Sequence, residues 1–402
     1  MDSATIKNDP VAGSKGAKPV VNARLVRTLT EMILALLICI IVLEICFAFA
    51  GLGEQDFLRP HPVNGFEAMP DKNITFRREG FSRTRFNSHG MCDKPRTLDK
   101  QRGTVRIAVV GDSIVEALQV EHEERMCSIL EGKLNQKFKS PFEVLNFGMS
   151  ASNIGQTFLR LQNKVIEFHP DIVVLFFPHH STYDVIPQPN EIFPKICRPY
   201  FLISKDGLVA DYTIMNHWLE TKEGKRILAT EWLREHSHIW GVIGSLSVQF
   251  TRSLGHVFDS ASAADLQKHA TKMESSSQAT RVPASLINNA NADRCIKFYY
   301  PIVDALLVKM ARLCKEHQVQ FVIAYLPFEA DSAARLERNL LGRTCARAGI
   351  KFLDLGAAIV EKHYDKKESL YYQCHFSKYG NKVLADALRA ELLRSGSLQK
   401  LY

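Results

Sequence analysis

The sequence predicts an α/β chain: a three-layer α/β/α domain on a five-stranded parallel sheet, behind one N-terminal transmembrane helix. Three observations predict it. Five apolar, β-branched runs alternate with amphipathic helical patterns after Val105. The central run, Asp171 to Phe177 (DIVVLFF), is continuously apolar, as in a strand covered on both faces. Met32 to Leu52 is almost wholly apolar, interrupted only by Glu44 and a few small residues, over a length that suits a bilayer span of ~20 residues.

Residues 1–28 are a polar tail with Gly, Lys and Pro, expected to be disordered. Lys7, Lys15, Lys18, Arg24 and Arg27 precede the apolar run, against Asp2, Asp9 and Glu31. The positive-inside rule therefore keeps the N-terminus in the cytoplasm and carries everything after Gly53 to the periplasmic or extracellular side. Ala48-Phe49-Ala50 resembles a signal-peptide cleavage site, but the run is long for a signal core, so 29–52 is read as an uncleaved single-pass anchor. Glu44 would cost ~2.5–3.5 kcal/mol at the bilayer centre, which places it near a headgroup or against a partner helix.

Residues 53–104 are rich in Pro, Arg and Asn and show little periodicity, which predicts an extended juxtamembrane arm. Within it Arg77, Arg78, Arg83 and Arg85 interleave with Phe76, Phe81 and Phe86; this reads as a solvated, partly packed surface rather than a nucleic-acid face. The domain proper is expected over 105–395. Its strands are Val105–Val110, Phe142–Phe147, Asp171–Phe177, Gln320–Leu326 and Lys351–Leu355. Helices are expected at Glu123–Phe138, with Met126, Ile129, Leu130 and Leu134 on one face, at Asn153–Glu167, and at Ser377–Leu393. An insertion at 185–292 interrupts the order, holds all three tryptophans, and ends in a Ser/Ala/Asn-rich run. It is read as a lid on a mobile tether.

The 402 residues are 46% hydrophobic and 23% charged, a globular composition, and the net charge of +8 is scattered. No Gly-rich phosphate loop, CxxC or zinc spacing occurs, so neither cofactor nor metal nor nucleic acid is expected. Of nine cysteines, Cys39 and Cys46 lie in the apolar run, leaving an odd seven outside with no pairing framework.

Two residues stand where chemistry is done in such folds. Ser113 closes Gly111-Asp112-Ser113 after the first strand, at the C-terminal edge of the sheet. His375, in LYYQCHFSKYG, precedes the last helix, where the loop returns over that edge. An imidazole within reach turns a hydroxyl into a nucleophile. Each residue could instead cap the helix that follows it. Cys374 is a further candidate nucleophile, although neighbours along a chain usually point apart.

Gly111-Asp112-Ser113, Asn146-Phe147-Gly148 after the second strand, Phe176-Phe177-Pro178 after the third and the late His375 together resemble the SGNH/GDSL hydrolase superfamily. The likeness covers residues 75–395 outside the insertion. NSHGMCD (Asn87 to Asp93) resembles its membrane-anchored bacterial branch. The resemblance implies the superfamily's flavodoxin-like fold, Ser113 as nucleophile and first oxyanion donor, and His375 as general base. It implies the Ala151 N–H as second donor, where relatives carry Gly, and His180 in place of the Asn that is the third. The acid that orients the base normally lies two or three residues before it, where this chain has Gln373 and Tyr372. Gln373 could orient the ring through its amide oxygen, and Asp354, ending the fifth strand, is a substitute acid. The implied activity is that of a membrane-anchored serine esterase. It would act on ester-bearing substrates such as O-acetylated envelope or secreted polysaccharide, by hydrolysis or acyl transfer. The alternative is a catalytically weakened polysaccharide-binding or scaffolding module on the same fold.

Overall fold

All five apolar runs pair as one parallel sheet in the computed structural model, which describes residues 23–53, 57–178, 181–182, 185–186, 193–205, 207–244, 292–326, 332–356, 359 and 369–399. The chain divides into two units, Met1–Leu52 and Gly53–Tyr402. The described part of the first is one helix, α1 (Ala23–Ala50), of 28 residues. Within its Arg24–Ala50 stretch an 18-residue window reaches a mean hydropathy of 3.0, and α1 is the one described helix long and apolar enough to cross a membrane. At ~1.5 Å per residue it exceeds a hydrocarbon core of ~30 Å.

In the second unit the sheet strands are β5 (Val105–Gly111), β6 (Phe142–Gly148), β7 (Ile172–Pro178), β10 (Gln320–Leu326) and β11 (Lys351–Asp354), in the order β11-β10-β7-β5-β6. This is the flavodoxin-like order, with its switch point between β5 and β7. Ile107 is in register with Val144 on one side and Ile172 on the other.

Alternation along each strand sorts the side chains into two layers. Ala108, Val110, Leu145, Phe147, Val173, Leu175, Phe321 and Ile323 meet α4 (Ile154–Asn163), α8 (Ala292–Glu316) and α9 (Ser332–Ala348). Ile107, Val109, Val144, Val174, Val322 and Ala324 meet α3 (Met126–Lys137) and α10 (Lys378–Arg394) on the other face. Both faces are dry, which is why these strands read as unbroken apolar runs.

Two helices differ from expectation at their ends. A 3₁₀ turn, His122–Glu124, precedes α3. The Asn153–Glu167 pattern stops at Asn163 and finishes in a 3₁₀ turn that ends on left-handed His169, φ +49°.

The larger difference lies in residues 53–104. They do not form an extended arm. Two antiparallel hairpins, β1 (Leu58–His61) with β2 (Gly65–Ala68) and β3 (Asn73–Phe76) with β4 (Ser82–Arg85), fold onto the domain. Leu58, Phe66, Phe86 and Cys92 bury into a third apolar cluster with Leu118, Met149, Ile196, Met215 and Trp218. Leu58 and Phe66 sit on four-residue strands, and Phe86 and Cys92 lie outside any strand, so no period betrays them.

The buried Arg125 guanidinium ties this layer to the sheet, donating to the carbonyls of Cys92 (3.1 Å), Ala117 (3.3 Å) and Val120 (3.3 Å) and to the Thr84 hydroxyl. A second tie joins Arg96 to Asp93 (3.0 Å) and Glu131 (2.9 Å), while those carboxylates accept the N–H groups of Asn146 (3.1 Å) and Val144 (2.8 Å) on β6.

The insertion contributes the hairpin β8 (Tyr200–Ser204) and β9 (Gly207–Asp211), then α5 (Thr213–Glu220), α6 (Lys222–Ala229) and α7 (Glu231–His236). Trp218 is buried and stacks on Phe193 at 5.7 Å. The Ser260–Ala292 run, the tether of the expected lid, falls outside the described residues except at its last residue.

Burial pushes the Glu131 carboxyl up, but the Arg96 charge, Lys94 and the Val144 N–H outweigh it and hold it below the usual carboxylate range. A depressed folded pKa gives stability that is present above the unfolded value and lost as pH falls through the folded one. Arg96→Met removes the buried cation that Asp93 and Glu131 share and should cost ~3–5 kcal/mol at pH 7. It also removes the Arg96 charge that does most to lower the Glu131 pKa, so that carboxyl should move up and part of the loss should return as pH falls from 7 to 5. Urea unfolding at the two pH values measures this, and an equal cost at both would contradict it.

Candidate active site

Strand β5 ends at Gly111 and the chain turns at once into α2 (Ser113–Glu116), a single helical turn closed by left-handed Ala117, φ +53°. Asp112 is its N-cap, accepting the Ile114 N–H at 2.9 Å. Ser113 therefore has no capping duty. The turn is jammed against β6: a Cβ on Gly148 would lie 2.1 Å from the Glu116 nitrogen, so only glycine fits there.

His375 lies in a tight loop between Tyr371 and Phe376, which bridge each other, while Ser377 N–H bonds to Leu370 O at 2.8 Å. Ser377 caps α10 by accepting the Gly380 N–H at 3.1 Å, so His375 is not a cap either. Gln119, in the loop after α2, donates from Nε2 to the Phe376 carbonyl at 2.9 Å and fastens the two segments together. The result is a contact of 2.8 Å between His375 Nε2 and Ser113 Oγ.

The carboxylate behind the imidazole is Glu79, from the β3–β4 turn. Its Oε1 bonds to His375 Nδ1. Its Oε2 sits in a nest of three successive N–H donors, Gln373 (3.3 Å), Cys374 (3.1 Å) and His375 (3.2 Å). Burial, with the side chain 7% exposed, pushes the Glu79 pKa up, yet the bond to and charge of His375, with Cys374, bring it below its ordinary value. An ionised carboxylate can only accept, which assigns the proton to Nδ1 and leaves Nε2 as acceptor for the Ser113 hydroxyl. Gly80 allows this close approach. It is left-handed at φ +68°, and a Cβ there would lie 2.5 Å from the Gln119 carbonyl and 2.7 Å from the Tyr372 ring.

The two orienting residues expected from the sequence are thus corrected. Gln373 meets Glu79 through its backbone N–H and not His375 through its amide. Asp354 ends the edge strand β11, three strands from β5 or roughly 14 Å at ~4.8 Å per strand. There it pairs with Arg338 and accepts the Gly356 N–H at 3.0 Å. The overlooked Glu79 did carry a signal: it is the one acid between residues 73 and 92, among four arginines and before a glycine.

Ala151 adopts φ +62°, the left-handed conformation its place in the 149–152 turn requires. Arg198 Nε donates to its carbonyl at 2.7 Å, and the Ser150 N–H and hydroxyl both donate to the buried Glu116. Among the described residues, no hydrogen bond engages the Ala151 or Ser113 N–H. Ser113, Ala151 and His375 line one cleft of about 500 Å³ with Phe76, Arg78 and Lys195, a size suited to a small-molecule ligand. His180 lies outside the described residues. Cys374 Sγ is 3.4 Å from His375 Nδ1, on the side away from the Nε2–Ser113 contact.

No protein-family model matches the chain, and no curated protein does. Solved structures similar to it include a protein from Desulfitobacterium hafniense described as lipolytic and of the G-D-S-L family, at 11% identity and TM-score 0.37, over 72% of this chain and 99% of that one. A lipase/acylhydrolase from Enterococcus faecalis gives 13%, 0.36, 72% and 96%. A catalytic mutant of an acetylxylan esterase from Geobacillus stearothermophilus gives 14%, 0.37, 72% and 94%. Likenesses of this degree do not bear on chemistry; the side-chain geometry does.

If Glu79 holds the ring in its working tautomer, Glu79→Ala should slow labelling of Ser113 by a fluorophosphonate by on the order of 10²–10⁴, towards the loss seen when a triad acid is replaced. Gly80→Ala, which displaces the turn without removing the acid, should slow it less. Labelling rates in both variants equal to wild type would mean that the carboxylate is not coupled to the serine.

Proposed function

We propose that the protein is a membrane-anchored serine esterase or acyltransferase of SGNH/GDSL type. The observation that carries this reading is the file Ser113–His375–Glu79, with one carboxylate, one imidazole and one hydroxyl in bonding sequence. In the proposed reaction Ser113 Oγ attacks an ester carbonyl carbon as its proton passes to His375 Nε2. Glu79 stabilises the imidazolium that forms. The carbonyl oxygen becomes an oxyanion, held by the N–H groups of Ser113 and Ala151, with His180 as third donor on sequence grounds. Collapse breaks the ester C–O bond, and His375 returns its proton to the departing alcohol. Water or a sugar hydroxyl then repeats the sequence on the acyl-serine, giving hydrolysis or transfer.

The substrate class follows from the sequence resemblance: O-acetyl groups on envelope or secreted carbohydrate. Placement follows from α1, whose length and basic N-terminal flank favour an uncleaved anchor with the second unit outside the cytoplasm. The alternative, a weakened binding module, rests on the departures at Ala151, His180 and the triad acid; Glu79 supplies a carboxylate for the last of these.

Hydrolysis of p-nitrophenyl acetate by the full-length chain in detergent tests the reading. Ser113→Ala and His375→Ala should each abolish most turnover, and the double variant should be scarcely slower than either, because the residues act as a unit. His180→Ala should cost ~2.7–4 kcal/mol of transition-state stabilisation if it is the third donor. Turnover that is absent from wild type, or unaffected by Ser113→Ala, would overturn the reading.

A further inference from the structure

Cys374 stands beside the proposed relay and takes no part in it. Among the described cysteines of the second unit it alone is exposed; Cys92, Cys127, Cys197, Cys314 and Cys345 are buried. Its Sγ lies 3.4 Å from His375 Nδ1 and 3.4 Å from Glu79 Oε1. One ligating atom from each of the three residues falls within 4.8 Å of the others.

These spacings can be set against a metal's demands. A tetrahedral zinc ion with Zn–S of ~2.3 Å and Zn–N or Zn–O of ~2.0–2.1 Å has S···N and S···O edges of about 3.5 Å. Two of the three edges therefore already stand at tetrahedral spacing. The third, Glu79 Oε1 to His375 Nδ1, is now a direct hydrogen bond and must open to the ~3.3 Å of an N···O edge. Thiolate, imidazole and carboxylate together suit a borderline-soft cation and not magnesium or calcium.

We propose that Glu79, Cys374 and His375 form an inhibitory site for a thiophilic divalent cation such as Zn²⁺, with water in the fourth position. Binding breaks the Cys374 S–H bond and releases that proton to solvent, and no electron moves. The metal takes the Nδ1 lone pair, so the ring's one proton moves to Nε2. Nε2 then points a donor at Ser113 and can no longer accept its proton, while Glu79 is drawn off the ring. One ion thus removes the base and its acid together. The inhibition rests on the relay proposed above; the metal site does not.

The experiment titrates the full-length, reduced chain in metal-free buffer with Co²⁺ and follows the thiolate-to-cobalt charge-transfer absorption in the near ultraviolet. The expected result is a band that Zn²⁺ displaces, that Cys374→Ser abolishes, and that His375→Ala weakens. In parallel, Zn²⁺ should slow p-nitrophenyl acetate hydrolysis and a chelator should restore it. Cys374→Ser, measured against its own metal-free rate, should need at least ten times more Zn²⁺ for half inhibition. A missing band, or one that persists unchanged in Cys374→Ser, overturns the site. Equal zinc sensitivity in wild type and Cys374→Ser overturns the inhibitory role. A Cys374-dependent band in a chain without esterase activity supports the site while the esterase reading falls.

Discussion

The bond between Glu79 and His375 is the contact on which the rest of the site depends. In the proposed relay a carboxylate at Nδ1 fixes the imidazole's tautomer and so leaves Nε2 able to serve Ser113 as base. Residues 296 apart in the chain make this bond, so it exists only when the β1–β4 layer is seated on the sheet. The surrounding polar contacts act on that seating. Arg125 gathers Thr84 with the Cys92 and Ala117 carbonyls, and Arg96 joins Asp93 to Glu131. Gln119 clips the loop after the serine to the loop that carries the histidine.

This arrangement couples stability to chemistry unusually directly. In a domain whose three reacting groups all rise from strand ends, the sheet alone sets their geometry. Here only Ser113 follows a sheet strand; His375 comes from the loop before α10, and Glu79 from a layer held by buried ion pairs and one apolar cluster. Buried pairs are costly to break, because the surviving charge loses its partner in a dry place. Damage at Arg96 or Arg125, well behind the cleft, should therefore reach Ser113 through Glu79.

How much of this was legible in the sequence follows from which interactions specify each part. The five strands announced themselves because both sheet faces are covered, and covered strands are apolar without interruption. Ser113 and His375 were legible because each is tied to a nearby element boundary, the end of β5 and the start of α10. Ala151 was legible only through the resemblance. Glu79 was not, since its role is set by a tertiary contact and its own strands are four residues long. The sequence offered Asp354 as a substitute acid beside its reading as a turn residue; it lies on the edge strand three away from β5, where it accepts the Gly356 N–H. Singly spaced Leu58, Phe66 and Phe86 likewise look like surface residues until Trp218 and Met215 arrive from the insertion.

The most direct test is the proton between Glu79 and His375. In the full-length chain with ¹⁵N-labelled histidine, that proton should appear as a far-downfield, exchange-protected resonance bonded to Nδ1 of one histidine. It should vanish in His375→Ala and in Glu79→Ala, and survive in Asp354→Ala. A resonance that persists in Glu79→Ala, or is lost in Asp354→Ala, would contradict the assignment of Glu79 as the acid of the site.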